Sequence, residues 1–122
     1  MTKDLQSKIF KLFIQRMEDV LISKGEDYAN NDDTLSNFKL AGSICQLTPE
    51  QQCLSLIATK VARLGVLLNK QSNPNNESIS DSISDLANYT FLLETIIAEN
   101  NLKRSLAKVG SLPNDNNKCK KL

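Results

Sequence analysis

Glu77, Asp81 and Asp85 stand four residues apart, and Asn88 follows three residues later. If this stretch is a helix turning ~100° per residue, the three carboxylates climb one side and Asn88 continues their line. Such a stripe spans about 12 Å, close enough for the charges to repel one another on a partly buried face unless a cation sits among them. Two kinds of cation can do this. One is a basic side chain from a neighbouring helix; the other is a divalent ion, for which Mg²⁺ with its preference for hard oxygen ligands is the natural candidate. A solvated acidic face is the plain alternative.

The basic side chain has an obvious source. Over residues 49–70, Cys53, Leu56, Ile57, Leu64 and Leu67 share one helical face, with Lys60 in its middle and Arg63 at its edge. A charged group is rarely buried without a partner, so Lys60 either snorkels outward past Leu56 and Leu67 or meets an anion. That anion is a carboxylate or a bound phosphate. From Leu86 to Ala98 the acid-bearing helix is apolar nearly all round, and Leu92 lies close to the sector of Asp85. The stripe therefore runs into a seam expected to be buried, which favours a functional site over a solvated face.

Four segments position these residues. Leu5, Ile9, Leu12, Phe13, Met17, Val20 and Leu21 recur at three- and four-residue spacing, predicting an amphipathic helix over 5–23 that Gly25 is placed to end. Residues 26–36 are polar and rich in turn formers and read as a loop, with a short helix after it from Asn37 to Cys45. Thr48-Pro49-Glu50-Gln51 offers an N-cap, a proline at the first helical position and a capping-box partner, so a helix is expected from Pro49 to about Lys70. A loop over 71–76, marked by Pro74, leads to a last long helix over about 77–100, with a further turn or two through Leu102, Leu106 and Val109. No strand-type alternation is present. The expectation is an all-α bundle of three long helices and one or two short ones, with one domain over 1–109 and a mobile tail over 110–122.

Composition narrows the chemistry. The chain has 122 residues, 40% hydrophobic and 24% charged, enough for a single core, and a formal net charge of +1. That balance gives no reason to expect direct nucleic-acid binding. There is no His, which excludes Ser-His-Asp chemistry and His-ligated metal sites. Cys45, Cys53 and Cys119 form no C-x-x-C pair and read as free thiols of a reducing cytoplasm. Met1-Thr2-Lys3-Asp4 leads into an amphipathic stretch rather than a signal peptide's apolar block, and no apolar run approaches the ~20 residues of a membrane span. The nearly all-round apolar surface of 86–98 exceeds what neighbouring helices in one small subunit cover, predicting a homodimer or higher oligomer.

The same residues carry a resemblance. Lys24-Gly25-Glu26-Asp27-Tyr28, Asn37-Phe38, Lys60-Val61-Ala62-Arg63-Leu64 and Asn76-Glu77-Ser78 with Asp81-Ser82 and Asp85-Leu86-Ala87-Asn88-Tyr89 resemble a phage and prophage family, the nucleotide modification associated domain of the first type. The four linked motifs cover roughly residues 10–97, and the family is associated with phage nucleotide and DNA-base metabolism. The helices and acid pattern are also similar to the all-α NTP pyrophosphatases of the MazG and dUTPase type. In those enzymes acids from two or more helices hold Mg²⁺, which activates a water to attack the α-phosphate and release pyrophosphate. They are commonly dimers or tetramers with sites near subunit contacts.

The resemblance implies that Glu77, Asp81 and Asp85 are the acids of the second metal-binding helix. The first helix of those enzymes carries a glutamate pair three residues apart; this chain offers Glu18-Asp19, with Asp27 from the loop as a further candidate. On this reading Glu77, Asp81, Asp85 and Glu18 or Asp27 hold Mg²⁺, and Lys60 and Arg63 neutralise charge on a nucleotide's phosphates. Lys24, Asp27, Tyr28, Asn37, Arg63 and Asn88 form the substrate-binding set, with Asp81, Asp85 and Lys60 closest to the chemistry. Tyr28 either stacks on a base or covers the core; Asn37 either bonds a base or sugar edge or caps the short helix. Two other readings stay open: a nucleotide-binding protein without turnover, and a ligand-free interaction module whose charges pair internally and fix the bundle's register. Each places the protein in the cytoplasm, that of the host cell if it is phage-encoded.

Overall fold

The computed structural model describes the backbone of residues 1–28, 33–69 and 76–120, and the side chains of 1–23, 33–69 and 78–110. Four helices make up the fold: α1 (Lys3–Tyr28), α2 (Ser36–Cys45), α3 (Pro49–Leu68) and α4 (Asn76–Lys120). The described residues contain no strand, so the all-α expectation holds. Among them no helix is long and apolar enough to cross a membrane.

The start of α3 forms as its sequence requires. Thr48 Oγ1 accepts the Gln51 backbone N–H at 3.1 Å and Gln51 Oε1 accepts that of Thr48 at 2.9 Å, with Pro49 at the first helical position. Two orphan donors of the first turn are thereby satisfied. The turn before it depends on Gly42. Gln46 takes the left-handed conformation (φ 59°), and Leu47 N–H returns to the Gly42 carbonyl at 2.8 Å. A Cβ on Gly42 would lie 2.8 Å from the Leu47 carbonyl oxygen, so the chain closes this tightly only around glycine.

Helices α3 and α4 run antiparallel. Advancing along α3, Glu50 accepts a hydrogen bond from Asn100 Nδ2, the Cys53 thiol donates to the Tyr89 carbonyl at 3.2 Å, and Lys60 pairs with Asp85. Leu35, Phe38, Cys53 and Ile96 form the buried core, with Leu56, Ile57, Tyr89, Leu92 and Leu93 packed against it. Helix α1 meets α4 through Arg16 and Met17, opposite Ser84 and Asn88. Lys39 ties α2 down, reaching Asp33 at 2.7 Å and Glu99 at 2.8 Å, while Lys103 also pairs with Glu99 at 2.8 Å.

Several boundaries differ from expectation. Helix α1 passes through Gly25 to Tyr28; a helical glycine costs only about 1 kcal/mol relative to alanine, too little to stop a long helix by itself. The rest of the expected 26–36 loop falls partly on residues outside the described set. Helix α4 continues past Asn100, and residues 101–110 are exposed. Over the expected tail the backbone continues α4 to Lys120, and the side chains beyond Gly110 lie outside the described set. Within one chain α4 is not buried on every side over 86–98: Phe91, Ile97 and Ala98 are exposed, because the other three helices cover only part of its circumference.

Candidate functional site

The face of α3 that packs on α4 carries Cys53, Leu56, Ile57 and Leu67, and Lys60 lies among them with only 24% of its side chain exposed. Its Nζ reaches Asp85 Oδ2 at 2.8 Å, and the Asp85 side chain is 15% exposed. Lys60 therefore does not snorkel. Its anionic partner is an internal carboxylate on the acid-bearing helix, one of the two partners that the sequence left open.

Asp85 sits where two cavities adjoin. The larger, about 630 Å³, is walled by Val20 and Leu21 of α1, Phe38 of α2, Leu56 of α3 and Tyr89, Phe91 and Leu92 of α4. Its polar groups are Asp85, the amides of Asn37, Gln52 and Asn88, and the hydroxyls of Thr34 and Thr95. The smaller, about 270 Å³, is lined by Arg16, Val20, Asp81, Ser84 and Asp85. Val20 and Asp85 belong to both walls, so the pair forms one amphiphilic site: a broad apolar chamber with amide donors and acceptors beside a small charged one. Mostly apolar concavities with a few convergent polar groups are the usual form of small-molecule sites.

Asn88 is 6% exposed; its amide donates to the Met17 carbonyl at 3.3 Å, which fixes the side chain at the wall of the larger chamber. Asn37 reaches that chamber from α2, where it is the second helical residue. It is not the cap. Leu35 occupies that position, and its backbone N–H bonds to Asp33 Oδ1 at 2.9 Å. Asp81 is exposed and lines the smaller chamber.

Other candidates do not converge on the site. Arg63 is exposed on α3 and Glu18 is exposed on α1, and neither lines a chamber. By helical geometry Arg63 lies at the edge of the α3 face that carries Lys60, and Glu18 lies on the side of α1 opposite Arg16 and Val20. The side chains of Lys24, Asp27, Tyr28 and Glu77 lie outside the described set. Among the described residues no three acidic or thiol side chains are grouped so as to hold a metal ion. Asp81 and Asp85 nevertheless line one chamber together, a pair of carboxylates. Mg²⁺ usually retains several waters and is held by one or two carboxylates together with substrate phosphates, so this donor pair fits an ion that arrives with its ligand.

The sequence pattern did not bring Arg16 forward. It lies on the same helical sector as Phe13 and Val20, a cation within the apolar stripe of α1 just as Lys60 is within that of α3. Its Nε donates to Ser84 Oγ at 2.6 Å, and its guanidinium lies 5.6 Å from the centre of the Phe13 ring. Unrolling α1 with the test applied to α3 would have found it. Gln52, Phe91 and Thr95 carry no such signal, since residues of these types line helix surfaces everywhere.

The sequence matches no protein-family model and no curated protein, and the chain matches no solved structure.

Proposed function

We propose that this chain is a phage-type nucleotide-metabolism protein acting as a Mg²⁺-dependent nucleoside triphosphate pyrophosphohydrolase. The observation that carries this reading is Asp85: held by Lys60, it stands at the junction of an apolar, amide-lined chamber and a charged one. A nucleotide has the same division, with a flat, hydrogen-bonding base at one end and phosphates at the other. Phe38 and Tyr89 supply apolar aromatic surface for a base, and Asn37, Gln52 and Asn88 supply amides for its edge. Asp81 and Asp85, joined by Glu77 from one turn earlier in α4, would hold Mg²⁺. When bound, the ion supplies Lewis-acid polarisation of phosphate and an acidified water, the role a histidine base takes elsewhere. Lys60 keeps Asp85 oriented beside Asp81.

One feature favours a second reading, binding without turnover: Lys60 already neutralises one of the acids. A panel of nucleoside triphosphates with Mg²⁺, assayed for pyrophosphate release beside thermal shift, separates the two. Release that is lost in Asp81→Ala supports hydrolysis. A thermal shift without release supports a binding protein, and neither response leaves a ligand-free module in which Lys60–Asp85 fixes helix register.

The protein further fits a cytoplasmic homodimer or higher oligomer. Leu5, Ile9, Phe10 and Leu12 of α1 and Leu102, Leu106 and Val109 of α4 are exposed. Two apolar stripes of this length favour burial against a second copy.

A further inference from the structure

The smaller chamber holds an arginine that meets α4 through Nε alone. Among the described residues lining the two chambers, Arg16 is the one cationic side chain, because Lys60 lies behind Asp85 and Arg63 lies off the site. Its orientation is fixed. Ser84, 1% exposed, accepts the Arg16 Nε–H at 2.6 Å and donates its own hydroxyl to the Ser80 carbonyl at 3.0 Å, so a fully satisfied buried hydroxyl holds the guanidinium plane. Phe13 lies against the same group. Neither contact uses the Nη hydrogens, and these form the planar fork that matches two phosphate oxygens at once. Arg16 shares the chamber with Asp81 and Asp85, yet among the described residues it makes no ion pair with either. Arg16 is exposed, yet it is tethered through Nε with its fork left for something else.

We infer that Arg16 is the phosphate-recognising residue of the site, gripping the anionic end of a phosphate-bearing ligand in the smaller chamber. The inference rests on the nucleotide reading for the remainder of that ligand, which extends past Asp85 into the larger chamber. Because Asp81 and Asp85 face the same space, a bare phosphate meets repulsion there, whereas a phosphate accompanied by Mg²⁺ presents positive charge to the acids and oxygens to Arg16. Arg16-dependent binding is therefore also Mg²⁺-dependent.

Titration calorimetry on the full chain tests this. The probes are non-hydrolysable nucleoside triphosphates of adenine, guanine, cytosine and thymine, the four matching nucleosides, and inorganic tripolyphosphate, each with and without Mg²⁺. The expected result is that at least one triphosphate binds more tightly than its nucleoside with Mg²⁺ present. Arg16→Ala then weakens that triphosphate by about 10- to 100-fold, the usual worth of a charge-assisted contact, and leaves the nucleoside unchanged. Arg16→Gln, which keeps an N–H for Ser84 and most of the stem, loses the same increment and controls for misfolding. Arg16→Lys, with charge but no fork, falls between. Equal weakening of nucleoside and triphosphate in Arg16→Gln, or a triphosphate increment that survives the substitution, overturns the inference. If wild type binds no nucleoside or nucleotide, the nucleotide reading fails separately. In that case tripolyphosphate decides: binding lost in Arg16→Gln upholds Arg16 as an anion site, and absence of binding overturns it.

Discussion

Replacing Asp85 by Asn keeps the shape of the side chain and removes the charge that Lys60 faces. At 2.8 Å and an effective dielectric of about 20, the direct attraction is roughly 6 kcal/mol, most of which is offset by the cost of taking both groups partly out of water. Exposed pairs contribute about 0–1 kcal/mol net, and breaking a fully buried pair costs about 3–5 kcal/mol. With 24% and 15% of the two side chains exposed, this pair lies between those limits, and Asp85→Asn is expected to cost about 1–3 kcal/mol. The loss comes from an ammonium left on the apolar face of α3, so removing that ammonium should recover much of it.

A double-mutant cycle reads this directly. Asp85→Asn, Lys60→Met and the double variant are compared by urea unfolding monitored by circular dichroism. The single Asp85→Asn variant should lower the midpoint by about 1 M, given a slope of about 1–3 kcal/mol per molar urea. The double variant should lie closer to wild type than the sum of the singles, with a coupling of about 1–2 kcal/mol. Strict additivity, or an Asp85→Asn effect under about 0.5 kcal/mol, would refute the reasoning, because Lys60 would then be no better held than a surface lysine.

Gly42→Ala should lower stability by about 1–3 kcal/mol, seen as a reduced melting temperature, since the new methyl would press on the Leu47 carbonyl. The Cys53 thiol is fully buried and donates to Tyr89, and burial raises its pKa; in a Cys45→Ser/Cys119→Ser background it should resist a thiol reagent until the protein unfolds, and rapid labelling of the native state would contradict this. Lys39 holds the Asp33 carboxyl below its ordinary value, and Lys103 together with Lys39 does the same for Glu99, so their contribution is present at neutral pH and is lost as pH falls through the lowered folded-state values. Glu99→Gln should therefore lower the melting temperature at pH 7 and make little difference once the medium is acidic enough to protonate both carboxyls; a difference that persists into strong acid would assign the effect to packing. Leu102→Glu/Leu106→Glu should convert an oligomer to a monomer by light scattering with helicity retained, and an unchanged mass would remove these residues from the interface.

Helix identity was legible because the determining interactions are local. Thr48-Pro49-Glu50-Gln51 contains both partners of its own cap within four residues, and the structure forms both bonds. The helix ends were less legible. Gly25 looked like a stop, but a helix ends only where several adjacent residues jointly favour another conformation, and one glycine's propensity is too weak to impose that. Lys60 was legible as a buried cation because a charge in an apolar sector requires an explanation; which acid it meets depends on the antiparallel register of α3 and α4, which no single helix encodes. Arg63 and Glu18 came forward by motif order and residue type, which do not encode rotation about the helix axis; both are exposed and line neither chamber.

The polar groups within the seams decide between a site and a mere packing device. A core of Leu35, Phe38, Cys53 and Ile96 with five partly buried apolar neighbours is small, and replacing Lys60 and Asp85 by apolar residues of similar volume would enlarge it. Internal charges can persist because they specify register, and Lys60–Asp85 taken alone would suit that role. Asn88, bonded to a helix carbonyl across the α1–α4 contact, would suit it as well. Arg16 goes beyond it. Its Nε bond to Ser84 crosses the same α1–α4 contact, but its guanidinium fork is not used by that contact, so an Arg16→Gln change that retained the Nε-type bond would leave register intact. A fold that violates its own apolar pattern on α1, α3 and α4, with Arg16, Asp85 and Asn88 all reaching two adjoining chambers, carries the conflict between local sequence and packing that is expected where a ligand binds.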